Sequence, residues 1–201
     1  MLKPIALLLL VSVAPRPAFA GAGACADQVR VVGEPPQGAE LHRLIRLIHG
    51  VASREHVDAY VLESIADTET RFRLNVLNRD CDRGLFQITT FWAKVFHIDP
   101  AYFWDPEIAA TAAARIYKYV RTFWRPKYAA LAKHPCLRAA GWHRAKLTPE
   151  AFAAMTYNFG RLPTELAHAD RMSRAVIPAS TCAYAVRFDE ALARAKVRGR
   201  P

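Results

Sequence analysis

From Glu40 onward the apolar residues recur at helical spacing, and almost nowhere with the period-two alternation of a half-buried strand. Leu41, Leu44, Ile45, Leu47 and Ile48 share the face of a first helix, which His49-Gly50 is expected to interrupt. Ser53 reads as the N-cap of the next, with Val57, Tyr60, Val61, Ser64 and Ile65 as its apolar face and Glu69 at its end. Gln87 to Val95 reads as helical again. Asp105-Pro106 opens a long helix, because proline suits the first helical position and the acid before it can cap. Ile108, Ala112, Ile116, Tyr119 and Phe123 follow; the alanines of 109–114 allow close packing, and Pro126 ends or kinks the run. Residues 127–147 are less regular. Thr148-Pro149-Glu150 starts a helix through Phe152, Met155 and Tyr157 that stops at Gly160. A short segment spans Pro163 to Met172, and a last helix runs from about Ser180 to Lys196. Little reads as strand, so the expected fold is one all-α domain.

The first 20 residues stand apart: Lys3, an apolar run from Ile5 to Val13, and the small-x-small triplet Ala18-Phe19-Ala20 form a secretory signal peptide. Its apolar core is too short to remain as a transmembrane helix, and no later stretch qualifies. The mature chain is therefore expected to be exported, periplasmic or secreted, to lack a transmembrane segment and to act as a monomer. Residues 21–38, with Pro35-Pro36-Gln37-Gly38, read as an irregular lead-in, 39–197 as the folded domain and 198–201 as a basic tail. Loss of Lys3 and Arg16 with the leader takes the formal charge from +10 to +8. A basic exported protein suits a cell-wall polymer or an anionic membrane surface, and not nucleic acid. The Arg194–Arg200 run reads as a solvated tail that touches the anionic wall.

Cys25, Cys81, Cys136 and Cys182 make an even count in an exported chain, which suggests two disulfides with the pairing open. None lies at CxxC spacing, and the seven histidines show no ligand spacing such as HExxH, so no metal and no cofactor are expected.

The chemistry concentrates between Ile65 and Thr90. Glu69 closes an apolar helix, where burial can raise a carboxyl's pKa and keep it protonated near neutrality. Gln87 follows 18 positions later in Gly84-Leu85-Phe86-Gln87-Ile88; its amide can both donate to and accept from an uncharged partner such as a sugar. Glu63, off the face of Glu69, reads as a surface charge, and Asp80 and Asp82 as turn residues.

Glu69-Thr70-Arg71-Phe72, then Gly84-Leu85-Phe86-Gln87-Ile88, then Ala154-Met155-Thr156-Tyr157-Asn158-Phe159-Gly160 resemble, in order and spacing, the soluble lytic transglycosylase (SLT) domain of the lysozyme-like superfamily. That family shows Glu-Ser-x-Phe, Gly-Leu-Met-Gln-Ile and Ala-x-Tyr-Asn-x-Gly, and Thr181-Cys182-Ala183-Tyr184 loosely resembles its closing Thr-x-x-Tyr. The resemblance covers about residues 50–190. It implies a lysozyme-like helical domain acting on peptidoglycan strands at the β-1,4 bond between N-acetylmuramic acid and N-acetylglucosamine. Glu69 would be the catalytic acid, with Phe86, Gln87, Tyr157, Asn158 and Asn78 at the substrate. Thr70 replaces the family's Ser, and Asn78 stands where a Ser is frequent. Asp82 lies two positions before Gly84, the offset of the second carboxylate in animal-type lysozymes, a related family. A transglycosylase forming 1,6-anhydro ends is the expected activity. A hydrolytic lysozyme, and a non-catalytic wall-binding module attached to a secretion or conjugation apparatus, are the alternatives.

Overall fold

The computed structural model describes residues 30–168 and 175–199; the leader, Cys25 and the end of the 163–172 segment lie outside them. Helices α1 (Gly38–Arg54), α2 (Ala59–Thr70), α3 (Thr90–Val95), α4 (Pro106–Arg121), α5 (Pro135–Ala139), α6 (Pro149–Asn158), α7 (Leu162–His168) and α8 (Ala179–Arg198) follow in order. The fold is mostly all-α, as the apolar spacing requires. Strands β1 (Arg30–Val32) and β2 (Asn75–Leu77) pair antiparallel, Val32 opposite Asn75 and Arg30 opposite Leu77. The lead-in is thus ordered against the domain from Arg30. Three-residue strands are too short to show alternation, and β1 is exposed throughout, so no apolar pattern marked it.

Proline and acid punctuation sets the helix starts as expected. Asp105 accepts from the backbone N–H groups of Glu107 and Ile108, and Thr148 accepts from Ala151. The first boundary differs. Helix α1 runs unbroken through His49-Gly50 and contains Ser53 in its last turn. A single glycine costs a helix only about 1 kcal/mol, and the burial of Ile48, Val51 and Ala52 on either side outweighs it. The turn comes at His56, whose φ is 54°, and Asp58 is the cap of α2, accepting from the N–H of Tyr60.

The core is shared by α1, α2, α4, α6 and α8. On α4, Ala109, Ala110, Ala112, Ala113 and Ala114 are buried, and α4 packs against both α1 and α6. Small side chains let those helices approach it closely. Beyond Pro126 a 3-10 helix (Pro126–Lys133) and α5 carry the chain to Cys136, which is bonded to Cys182 of α8. His134 lies beside these two sulfurs, but they are spent on each other and are not thiolate ligands. Cys81 is also in a disulfide.

Two surface expectations are corrected. Glu63 is 1% exposed. It receives Arg198 Nε at 3.0 Å and Nη2 at 2.7 Å, and lies 2.7 Å from His49 Nε2. Helix α8 extends through Arg198, and Arg194 pairs with Asp67 at 3.0 Å. These basic residues are not a solvated tail; they clamp α8 along α2. Charge alone could not reveal this, because the partners are more than 120 positions away. Stripping Arg198 leaves a buried carboxylate short of its main partner. We expect Arg198→Ala to cost roughly 2–3 kcal/mol of unfolding free energy in urea titrations. Arg54→Ala, which breaks the exposed pair with Glu107, should cost less than about 1 kcal/mol.

Candidate active site

Glu69 sits in the last turn of α2, and the chain reverses directly after it. Arg71 and Phe72 both have positive φ, 53° and 65°, which ends the helix and leaves Glu69 at its rim. Thr70, buried, donates its hydroxyl to the carbonyl of Leu85 at 3.0 Å and so ties the acid's helix to the Gly84–Ile88 motif. The motif is tight. Gly84 has φ 69°, and a Cβ there would stand 2.0 Å from the carbonyl oxygen of Phe103. Only glycine fits.

Gln87 is buried, with φ 46°, and its Nε2 donates to the carbonyls of Gly84 at 2.9 Å and Val76 at 3.0 Å. Both amide protons therefore order the loop, and Oε1 is the atom left for an outside donor. The Phe86 ring is fully buried in the core; its contribution comes through the backbone carbonyl, which accepts the Tyr157 hydroxyl at 2.9 Å. Tyr157 thereby braces the motif from α6. Asn158, exposed at the end of α6, accepts the Thr181 hydroxyl on Oδ1 at 3.0 Å. Asn78 opens the preceding turn: Oδ1 accepts the N–H groups of Asp80 and Asp82, and Nδ2 donates to Asp82 Oδ2 at 2.7 Å.

Among the described residues, the side chain hydrogen-bonded to the acid is Tyr184. Its hydroxyl donates to Glu69 Oε1 at 2.8 Å across the α2–α8 interface. The Thr181-x-x-Tyr184 spacing was the available signal, but nothing in the sequence tells that a tyrosine more than a hundred positions on would reach Glu69.

Burial pushes the Glu69 carboxyl up to about 8, with the Asp82 charge adding to the rise; the Tyr184 hydrogen bond and Arg187 pull the other way. At neutral pH Glu69 therefore holds a proton. Asp82 is raised to about 6, again chiefly by burial, against the hydrogen bond from Asn78. Its Oδ1 is buried with no hydrogen-bond partner among the described residues. Both Tyr157 and Tyr184 are raised well above 10 by burial and by the Glu69 charge, and so remain donors. Near pH 7 the pair thus consists of a protonated acid and a mostly ionised neighbour, the division that acid–base chemistry needs. A separate cavity of about 470 Å³, lined by Val32, Glu40, Arg43, Leu44, Phe72 and Arg73 among others, contains none of these groups.

Residues 46–175 match the profile of the family described as Transglycosylase SLT domain. The match includes Glu69, the Gly84–Ile88 motif and Tyr157-Asn158, and ends before Tyr184. No curated protein matches the chain.

A raised pKa has a consequence for stability. Native Glu69 holds its proton to about 8, whereas the unfolded side chain releases it near the ordinary value of 4.5. Deprotonation therefore favours unfolding as pH rises through that window. The site is fully stable below about 4.5 and has lost the full increment above about 8. Glu69→Gln does not titrate, so it should be more stable than wild type at pH 8 and much closer to it at pH 5. Each pKa unit is worth about 1.4 kcal/mol; since Glu69 as a residue is only partly buried and solvent screens part of the effect, we expect a differential gain of roughly 1–3 kcal/mol. Parallel melts at the two pH values measure it.

Proposed function

The chain belongs to the transglycosylase SLT domain family, and from that premise we propose that it is an exported lytic transglycosylase. It cleaves the β-1,4 bond between N-acetylmuramic acid and N-acetylglucosamine of peptidoglycan and leaves 1,6-anhydromuramic ends. The observation that carries this reading is a carboxyl at the end of α2, protonated near neutrality and held by a tyrosine hydroxyl. A wall-binding module without activity has no use for such an acid.

The chemistry follows from the geometry. Tyr184 occupies Oε1, so the proton is delivered from the other oxygen of Glu69. Transfer to the glycosidic oxygen lets the C1–O bond break, its electron pair leaving with the N-acetylglucosamine, while positive charge develops at C1 and the ring oxygen. The 6-hydroxyl of the same muramic acid then attacks C1, and Glu69, now a carboxylate, takes its proton. The acid is restored and no water is consumed. Tyr157 and Thr70 hold the Gly84–Ile88 motif in place, which fixes Gln87 Oε1; Asn158 and Asn78 offer further polar contacts to the N-acetyl groups. In this reading Asp82, held by Asn78, shapes the turn before Gly84.

Asp82 also supports a second reading. A carboxylate near the acid with an unpartnered buried oxygen is what a retaining lysozyme requires as nucleophile or stabiliser. Export rests on the leader-like residues 1–20, and among the described residues no helix is long and apolar enough to cross a membrane.

Wall-clearing rates and mass spectrometry of the products test both readings. Glu69→Gln should lose more than about a thousandfold in rate, roughly 4 kcal/mol of barrier, while remaining folded. A transglycosylase gives ends one water lighter than reducing ends, and there Asp82→Asn costs less than about tenfold, ~1.4 kcal/mol. Reducing ends with a loss of about a thousandfold in Asp82→Asn would establish the hydrolase instead.

A further inference from the structure

Thr181, Tyr184 and Arg187 are spaced three apart and lie along one face of α8. Thr181 meets Asn158 and Tyr184 meets Glu69. Arg187 continues that row into solvent. Its guanidinium carbon lies 5.8 Å from the centre of the Tyr184 ring, so it stands one phenol away from the acid. The other arginines of the helix's second half are paired: Arg194 with Asp67 and Arg198 with Glu63. Arg187 is exposed and has no ion-pair partner among the described residues. Its charge is felt at Glu69, where it opposes the rise caused by burial. A cation that lowers the acid's pKa works against proton donation, and no ion pair among the described residues accounts for it. A ligand of opposite charge would.

Given the peptidoglycan reading, on which this step rests, such a group is present next to the scissile bond. Each muramic acid carries a lactyl ether that ends either in a free carboxylate or in an amide to a peptide bearing carboxylates of its own. Neutral glycans of N-acetylglucosamine alone carry none. We propose that Arg187 binds a carboxylate on the lactyl-peptide substituent of the muramic acid and so selects carboxylated strands over neutral chitin-type chains. The planar guanidinium can accept a carboxylate with two parallel hydrogen bonds. Its place over the Tyr184 ring sets the fork beside the phenol that meets Glu69. A cation so placed also gains on binding, since the carboxylate screens it from Glu69.

The test measures dissociation constants in the Glu69→Gln background, so that ligand is not consumed. Three soluble ligands are compared: stem-bearing glycan chains, chains stripped of peptide by an amidase, and chitohexaose. Adding Arg187→Gln should weaken binding of carboxylated chains about tenfold, ~1.4 kcal/mol, and leave chitohexaose unchanged; Arg187→Lys should retain part of the difference. Raising the ionic strength should narrow the gap between carboxylated and neutral ligands. A loss confined to stripped chains assigns the lactyl carboxylate, and one confined to stem-bearing chains assigns the peptide; either supports the proposal. An equal loss on all three ligands, or no loss on any, overturns it. If the parent protein binds chitohexaose and neither carboxylated chain, the peptidoglycan reading itself fails and takes this proposal with it. Because Arg187 is exposed, its variants should melt with the parent, which confirms that binding and not folding is being read.

Discussion

The Tyr184 hydroxyl reaches Glu69 at 2.8 Å only because α8 lies along α2, and that alignment is fixed at its far end by a buried charge. Glu63 and Glu69 stand on one rigid helix, Tyr184 and Arg198 on the other. Arg198 at Glu63, Arg194 at Asp67 and Tyr184 at Glu69 are successive cross-links of the same antiparallel pair. The Cys136–Cys182 bond anchors the start of α8 to α5, just before the turn that carries Tyr184. The end of the chain thus reaches back to define the environment of an acid placed near its first third. Even Gly199 is confined: a Cβ there would come within 2.2 Å of the Tyr60 hydroxyl.

What burial does at Glu69 differs from what it does at Glu63, though the two are six positions apart. Glu63 is enclosed together with an arginine fork and a histidine, so its charge is matched. Glu69 has one neutral donor, and its nearest charged neighbours in effect are Asp82, which repels a second negative charge, and the exposed Arg187. The same helix therefore presents one carboxylate for structure and one carboxylic acid for chemistry. Burial raises the Glu69 carboxyl with no ion-paired cation beside it, whereas Glu63 is met by the Arg198 fork.

Much of this was legible in the residues. Proline after an acid or threonine marked α4 and α6 correctly because those signals are local: the cap atoms are two or three positions away. Glu69, Gln87 and Tyr157 could be singled out because they lie in compact motifs. The rest depended on contacts that are distant in sequence. Gly50 looks like a break until the packing around α1 is known, and Glu63 and Arg198 look like surface charges until they are seen together. Phe86 sits in a motif that reads as a sugar contact, yet its ring belongs to the core and only its carbonyl reaches Tyr157. Tyr184 was visible as a loose match, but its partner was not.

The account depends on Glu69 being a protonated acid at neutral pH, and the carboxyl can be observed directly. Carbon-13 NMR of protein labelled at the glutamate side-chain carboxyl, with Glu69 assigned by its absence from the Glu69→Gln spectrum, follows its titration. We expect a midpoint near 8. A midpoint close to 4.5, the ordinary glutamate value, would mean that Glu69 is ionised at neutral pH and would contradict the acid role on which the proposed chemistry stands.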